Sequence, residues 1–394
     1  MSYPETFLSH KKENKMSYTL TEEQQLIQQN ACEFAKEYIE PVTSETDHDY
    51  KYPADVIEKL AENDFFGLFL PNTYGGSDAG YLSYVLTIEE IAKVNAGVAA
   101  VILNHASLAA YAINKFGSDA QKKAYLPALC KGEKIGAFAW TEKGHAAGAG
   151  ADSLKAVKDG DNYVLNGKKC YIENGGVAGV YVAFAVTDPS AGKDGLSAFI
   201  VDGNAAGLKV VRKIEKMGLR ACPCAELEFS NVIVPAANLI AGEGRGFDVM
   251  KDAKSAAYIA EGALVAGAAQ AALTEAANYA KQRIQFKRPI ASFPAIQNLI
   301  ADIAANIHLT KLAVYHAASL LENGERFEVE SNIIKYFATR IGTKALIDAI
   351  QVEGGVGFCD DMQVSRIYRD INGVFLTDSS MEFAEPVIAA EVLV

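Results

Sequence analysis

The chain has 394 residues, half of them hydrophobic and 22% charged, and a formal net charge of −12. That is enough apolar material for a large core in two or three domains, and the acidic balance excludes a general nucleic-acid or anionic-membrane binder, whose surface needs clustered Lys and Arg. The first residues, MSYPETFLSHKKENK, lack the apolar centre of a secretory leader, and no apolar run approaches a membrane span, so a soluble cytoplasmic protein is expected.

In chain order, residues 1–17 are polar and read as an N-terminal extension. From Thr21, an N-cap and early acids precede Leu26, Ile27, Ala31, Phe34, Ala35 and Ile39 at helical spacing, which predicts a helix. Further helices over 53–63, 81–94, 96–116 and 119–129, with a turn at Asn72-Thr-Tyr-Gly-Gly-Ser, complete an N-terminal helical domain over 18–132. The period then changes. Over 133–243, short β-rich runs such as IGAFAWTE, YVLNGKKCYIE, GVYVAFAVT and CAELEFSNVIV alternate with turns such as Asp159-Gly160-Asp161 and Asn166-Gly167. No helix of normal length separates the runs, which predicts an antiparallel β-sandwich or barrel. From 244 to 394 the pattern is helical again, over 247–282, 293–323, 328–352 and 381–394, giving a C-terminal four-helix bundle and an α+β protein.

Six cysteines stand without framework spacing, as in a reduced compartment, and Cys222-Pro223-Cys224 is too tight and too isolated for zinc. No metal site is expected. The stretch from Arg369 to Ser380 places Asp378 between hydroxyl residues, after an apolar run and before the last helical segment. Taken alone, that carboxylate is either a helix N-cap or a positioned base. The glycines of Gln351-Val-Glu-Gly-Gly-Val-Gly lack the preceding strand of a dinucleotide fingerprint, so they do not point to NAD.

Several stretches recur in a characteristic order. They are Tyr74-Gly75-Gly76 with Glu89-Glu90, Thr141-Glu142 with Ala149-Gly150-Ala151-Asp152, and the run from Asn166 to Gly176. Later come Lys216-Met217-Gly218-Leu219-Arg220, the run from Gly242 to Phe247, Arg283-Ile284-Gln285-Phe286, the run from Gln351 to Gly357, and Arg369-Asp370. Together they resemble the acyl-CoA dehydrogenase family from about residue 18 to the end. The resemblance implies FAD held by Phe138, Trp140, Thr141, Tyr171 and Glu173 on the β-domain, and by Arg283, Gln285, Phe286, Gln351, Gly354 and Gly355 reaching a neighbouring subunit's cofactor, with Ser380 also on the flavin. Trp140 is equally readable as core, and Arg283 as a surface helix-terminal residue.

The chemistry so implied removes the α-proton of a CoA thioester while the β-hydrogen leaves as hydride to the flavin, with the carbonyl oxygen among preorganised donors. Counting from Arg369-Asp370, the family's catalytic Glu falls on Asp378. The shorter side chain withdraws the carboxylate by about 1.5 Å, so the backbone or the substrate must come closer. Other departures surround it: Ser379-Ser380, Glu382, Ala151, an insertion at about His145 to Gly148, Tyr171, Glu173, and Tyr258 where an Arg is usual, with no alternative base at Ala257. On the substrate side the resemblance groups Asn95, His105, Ala151, Tyr258, Glu261 and Ser379. Glu261, one turn beyond Ala257, is either a second active-site carboxylate or half of a buried or interface ion pair, and His105 and Asn95 are either substrate contacts or satisfied core residues.

The expected activity is dehydrogenation of a short, branched or alicyclic acyl-CoA such as cyclohexanecarboxyl-CoA, by a homo-oligomer, a tetramer by resemblance, that passes electrons to electron-transferring flavoprotein. An enoyl-CoA reductase, an elimination enzyme and a non-catalytic binding protein on the same fold remain as alternatives.

Overall fold

The computed structural model describes residues 19–144, 153–376 and 383–393. The expected extension, 1–17, lies outside the described residues. α1 (Glu22–Phe34) starts at a capping box, with the Thr21 hydroxyl accepting from the Gln24 N–H at 3.1 Å and the Gln24 side chain accepting from the Thr21 N–H at 3.0 Å. α2 (Thr43–His48), α3 (Ala54–Glu62), α4 (Gly80–Val94), α5 (Ala96–Leu103), α6 (Tyr111–Phe116) and α7 (Asp119–Cys130) follow. The helix expected over 96–116 is continuous but passes through a π-helical turn, Asn104–Ala110, between α5 and α6.

The eight strands of the central sheet are β1 (Gly136–Ala139), β2 (Lys155–Asp159), β3 (Asn162–Glu173), β4 (Val180–Val186), β5 (Leu196–Asp202), β6 (Leu208–Lys213), β7 (Cys224–Pro235) and β8 (Leu239–Ile240). They run in the order β6-β7-β3-β2-β4-β5-β8, with β1 added on β4. The expectation of a wholly antiparallel sheet needs correction, because β1 and the start of β2 pair with β4 in parallel. Tyr181, Ala183, Ala185, Phe199 and Val201 face Tyr163, Leu165, Leu227 and Phe229 inside the folded sheet, while Val180, Val182, Phe184, Ala198 and Ile200 face the helices. Burial on both faces explains why β4 and β5 are continuous apolar runs rather than alternating ones.

The C-terminal part comprises α8 (Gly246–Gln282), a small hairpin of β9 (Ile284–Gln285) and β10 (Arg288–Pro289), α9 (Pro294–Glu322), α10 (Glu328–Glu353), α11 (Gln363–Leu376) and α12 (Ala384–Leu393). α11 was not expected as a helix, although Val364, Ile367, Ile371 and Val374 form a buried stripe at helical spacing. Asn372-Gly373 reads as a breaker, and tertiary anchoring overrides it: Asp370 accepts from the Leu219 N–H at 2.6 Å, and Arg369 bonds Asp47 and the Met217 carbonyl.

Two helical stretches, Ala96–Phe116 and Gly246–Gln282, are long and apolar enough to cross a bilayer, contrary to the sequence expectation, but 100% and 83% of their most apolar windows are buried inside the fold. α8 is the central helix. It crosses α4 so closely that a Cβ on Gly267 would stand 2.1 Å from the Glu89 carbonyl oxygen. Gly267→Ala should therefore force the two helices apart and cost about 1–3 kcal/mol, read as a lowered thermal unfolding midpoint.

Candidate cofactor and substrate site

At the end of β1 the aromatic rings are turned into the core. Phe138 is buried and Trp140 is 1% exposed, packed on Phe184 at ring distances of 4.7 and 5.2 Å, with Lys254 Nζ 5.6 Å from the Trp140 ring centroid. The reading of Trp140 as an aromatic ligand face is corrected to core: its ring has no open face. Thr141 is half-buried at the strand exit, and its carbonyl accepts from the Cys170 N–H at 2.9 Å. Next to it, Glu142 and Lys169 form a fully buried ion pair at 2.7 Å, and Lys169 Nζ also donates to the Trp140 carbonyl at 2.9 Å. Glu142 accepts the N–H groups of Ser153 and Leu154 at 2.6 and 3.0 Å, so one carboxylate ties the segment after β1 to the residues before β2; the insertion expected at about His145 to Gly148 lies outside the described residues. Burial opposes ionisation of Glu142, but Lys169 and these amides outweigh it and hold the carboxyl below its ordinary value.

On β3 the ring of Tyr171 is 60% exposed, at a bulge where its φ is +54°. Two residues on, Glu173 points inward. Asn104 Nδ2 donates to its Oε2 at 2.7 Å, and Lys216 Nζ bonds its Oε1 at 2.8 Å. Both carboxylate oxygens are engaged within the protein, so the flavin-contact role expected of Glu173 is corrected to a buried ion pair behind the surface that Tyr171 exposes. Burial disfavours charged Lys216, yet Glu173 outweighs it and raises the ammonium pKa.

The helical wall is polar where apolar side chains are the default. Lys335 on α10 is fully buried, bonds Glu261 Oε2 at 2.6 Å and the Val374 carbonyl at 2.9 Å, and stands 5.4 Å from the Tyr258 ring centroid. Glu261 is thus half of a buried ion pair, one of the two readings its sequence allowed. Val374 lies in the last turn of α11, where helical carbonyls have no intrahelical partner and a cation is favoured. Two residues after α11 comes Asp378, which with Ser379, Ser380, Glu382 and Ala151 lies outside the described residues.

Two expected substrate contacts are structural. Asn95 is the N-cap of α5, its Oδ1 accepting from the Val98 N–H at 3.1 Å and its Nδ2 donating to Thr46 at 3.2 Å. His105 is completely buried, its Nδ1 accepting from the Gly136 N–H at 2.9 Å and its ring 4.8 Å from that of Phe66. Burial pushes the imidazole down to about 4, which makes it a neutral core residue joining the π-helical turn to β1.

The remaining candidates gather on the surface of the C-terminal part. Arg283, Gln285 and Phe286 occupy the β9–β10 hairpin, with Phe286 87% exposed, and Gln351, Gly354 and Gly355 are exposed at the end of α10. A groove of about 650 Å³ runs past Gln351, Gly354, Gly355, Met217, Tyr368 and Arg369. A Cβ on Gly354 or Gly355 would meet nothing within 4 Å, and Gly354 has φ +67°, so this backbone stands open to a bound group. Exposed glycine amides and an exposed Arg283 guanidinium suit the pyrophosphate of FAD. Lys169, Lys216 and Lys335 were not singled out from the sequence. Their signal was a Lys inside an apolar or strand pattern, where an unpaired ammonium is not tolerated.

Comparison with known proteins agrees with this arrangement. Residues 21–133 match the acyl-CoA dehydrogenase N-terminal domain, 137–232 the middle domain and 244–392 the C-terminal domain. A 3-(aryl)acrylate reductase of Clostridium sporogenes is 37% identical over 374 residues, 95% of this chain and 99% of that protein. The caffeyl-CoA reductase-Etf complex subunit CarC of Acetobacterium woodii is 35% identical over 375 residues, 95% of this chain and 99% of that one. The solved structure of butyryl-CoA dehydrogenase from Megasphaera elsdenii superposes with a TM-score of 0.94 at 35% identity, covering 96% of this chain and 100% of that chain. The open glycine turn, the exposed Arg283 guanidinium and the order of three matched domains thus have one explanation: this chain belongs to the acyl-CoA dehydrogenase family and is an FAD-dependent oxidoreductase.

Proposed function

We propose that the protein catalyses α,β-oxidoreduction of a short, branched or alicyclic acyl-CoA thioester, with Asp378 as the group that takes and returns the α-proton. Bound FAD supplies the two-electron acceptor for the β-hydrogen. The observation that carries the reading is the clamp on α11: Lys335 holds the Val374 carbonyl while Glu261 fixes Lys335, and Asp370 is fixed at 2.6 Å to the Leu219 N–H. A base one methylene short of the usual Glu works only if the helix leading to it is held in place, because proton transfer requires approach to about 2.6–3.2 Å. The Tyr258 ring, where the family usually has an Arg, and the Glu261–Lys335 pair give this wall a polar character suited to a compact acyl group rather than a long aliphatic one.

Electron-transferring flavoprotein is the proposed redox partner, supported by the relative named as a subunit of a reductase-Etf complex. Self-association is supported by exposed apolar side chains on the C-terminal part, Phe286 (87%) and Ile284 (52%) at the β9–β10 hairpin and Phe358 (85%) at the end of the glycine turn. The reductive direction on an enoyl-CoA is a second reading, favoured because two relatives with this coverage are named a 3-(aryl)acrylate reductase and a caffeyl-CoA reductase-Etf complex subunit.

Incubation with a saturated thioester in D2O tests the proton-transfer claim without regard to direction. Exchange of the α-hydrogen, lost in Asp378→Asn, is the expected result, and equal exchange by wild type and variant contradicts it. Reoxidation of chemically reduced enzyme by a panel of enoyl-CoAs, faster than its reduction by the corresponding saturated thioesters, would favour the second reading.

A further inference from the structure

Glu353, the last residue of α10, is 2% exposed, and neither of its carboxylate oxygens has a hydrogen-bond partner. It lies beneath the turn that follows, Gly354–Phe358, such that a Cβ on Gly357 would stand 3.1 Å from its Oε2. This is the turn whose glycines open onto the cofactor groove. From α8, Glu275 reaches the same place: one of its oxygens accepts from the Gln363 N–H at 3.0 Å at the start of α11, and the other is buried without a partner. Arg366 on α11 acts on Glu275, but its guanidinium is engaged by Asp370 and by the Val94 carbonyl. Among the described residues, Glu275 is the charged group that acts on Glu353.

A buried carboxyl without a hydrogen-bond partner, acted on by a second, half-buried carboxyl, is costly to ionise, so Glu353 retains a proton that an exposed carboxyl would lose. Burial, and then Glu275, push Glu353 up to about 7. Burial also raises Glu275, but the amides at the start of α11 and Arg366 oppose that rise.

We propose that the buried Glu353 carboxyl, with Glu275 acting on it, positions the Gly354–Phe358 turn against FAD, so that the cofactor is held more tightly when Glu353 carries a proton. The inference rests on the assignment of the groove to FAD. Once ionised, Glu353 is repelled by Glu275 and driven towards water, and the turn leaves its seat while negative charge grows beside the pyrophosphate. Because the folded value lies above the ordinary 4.5, the favourable contribution is full below about 4.5 and is lost as pH rises through about 7.

FAD release from the holoprotein, followed by flavin fluorescence from pH 5.5 to 8.5, tests this. Wild type should loosen by at least about tenfold across that range, while Glu353→Gln stays near its low-pH value throughout. Glu353→Leu, which also removes the charge, should be as flat, and guards against an effect peculiar to the amide. A pH slope in both variants equal to that of wild type, or no slope in wild type, overturns the proposal while leaving FAD in place. A protein that binds no FAD at any pH overturns the cofactor assignment, and this inference with it.

Discussion

Asp378→Asn should leave the fold and FAD content unchanged and slow reduction of the flavin by a saturated acyl-CoA by about 10²–10⁴-fold, the usual span for loss of a positioned general base. The amide is nearly isosteric but cannot accept the α-proton, and the clamp on α11 by Lys335 and Asp370 is untouched by the change. Stopped-flow absorbance of the flavin band reads the effect directly. Asp378→Glu restores the missing methylene, extends the reach by about 1.5 Å, and should shift preference towards straight-chain thioesters. Turnover unaffected by Asp378→Asn would mean that the reaction does not begin with proton abstraction by this residue, as in an elimination enzyme.

Lys169→Met should be among the most destabilising single changes in the β-domain, by about 3–5 kcal/mol, because it takes the ammonium away from the Glu142 carboxylate in a fully buried site. The loss is not confined to one pair, since Glu142 also holds the Ser153 and Leu154 amides and thereby ties the residues before β2 to the segment after β1. The double variant Glu142→Leu with Lys169→Met removes both charges and should recover a large part of the loss, although the two amides then lack their acceptor. Thermal unfolding of the two single variants and the double variant checks this, and additive losses would contradict it. As the folded Glu142 carboxyl titrates below its ordinary 4.5, its contribution is full above about pH 5 and fades as pH falls through the folded value.

The three-part architecture was legible because hydrophobic period is local: it changes after residue 130 and again near 246, and most helix ends fell within a residue or two of their caps. The parallel pairing of β1 with β4 was not legible, because the pairing partner of a strand is set by contacts far along the chain. α11 was missed for a related reason, since the Leu219 amide and Asp47 that hold it belong to other domains. At the site, Gly354 and Gly355 lie on an exposed turn, and the β9–β10 hairpin that carries Arg283, Gln285 and Phe286 was not read from the sequence. Polar residues in apolar stretches were harder: Asn95, His105 and Glu261 resolved into a cap, a core imidazole and an ion pair only once their partners Val98, Gly136 and Lys335 were placed. Glu173 shows the same limit, since its sequence position suggested a cofactor contact and its partners Asn104 and Lys216 turned it inward.

The most direct measurement is the visible spectrum of the purified protein during anaerobic titration with linear, branched and alicyclic saturated acyl-CoAs. An oxidised flavin bleached by a short branched or alicyclic thioester, and only slowly by octanoyl-CoA, is the result predicted here. A flavin that none of them bleaches, with or without electron-transferring flavoprotein, would contradict acyl-CoA dehydrogenation as the working direction.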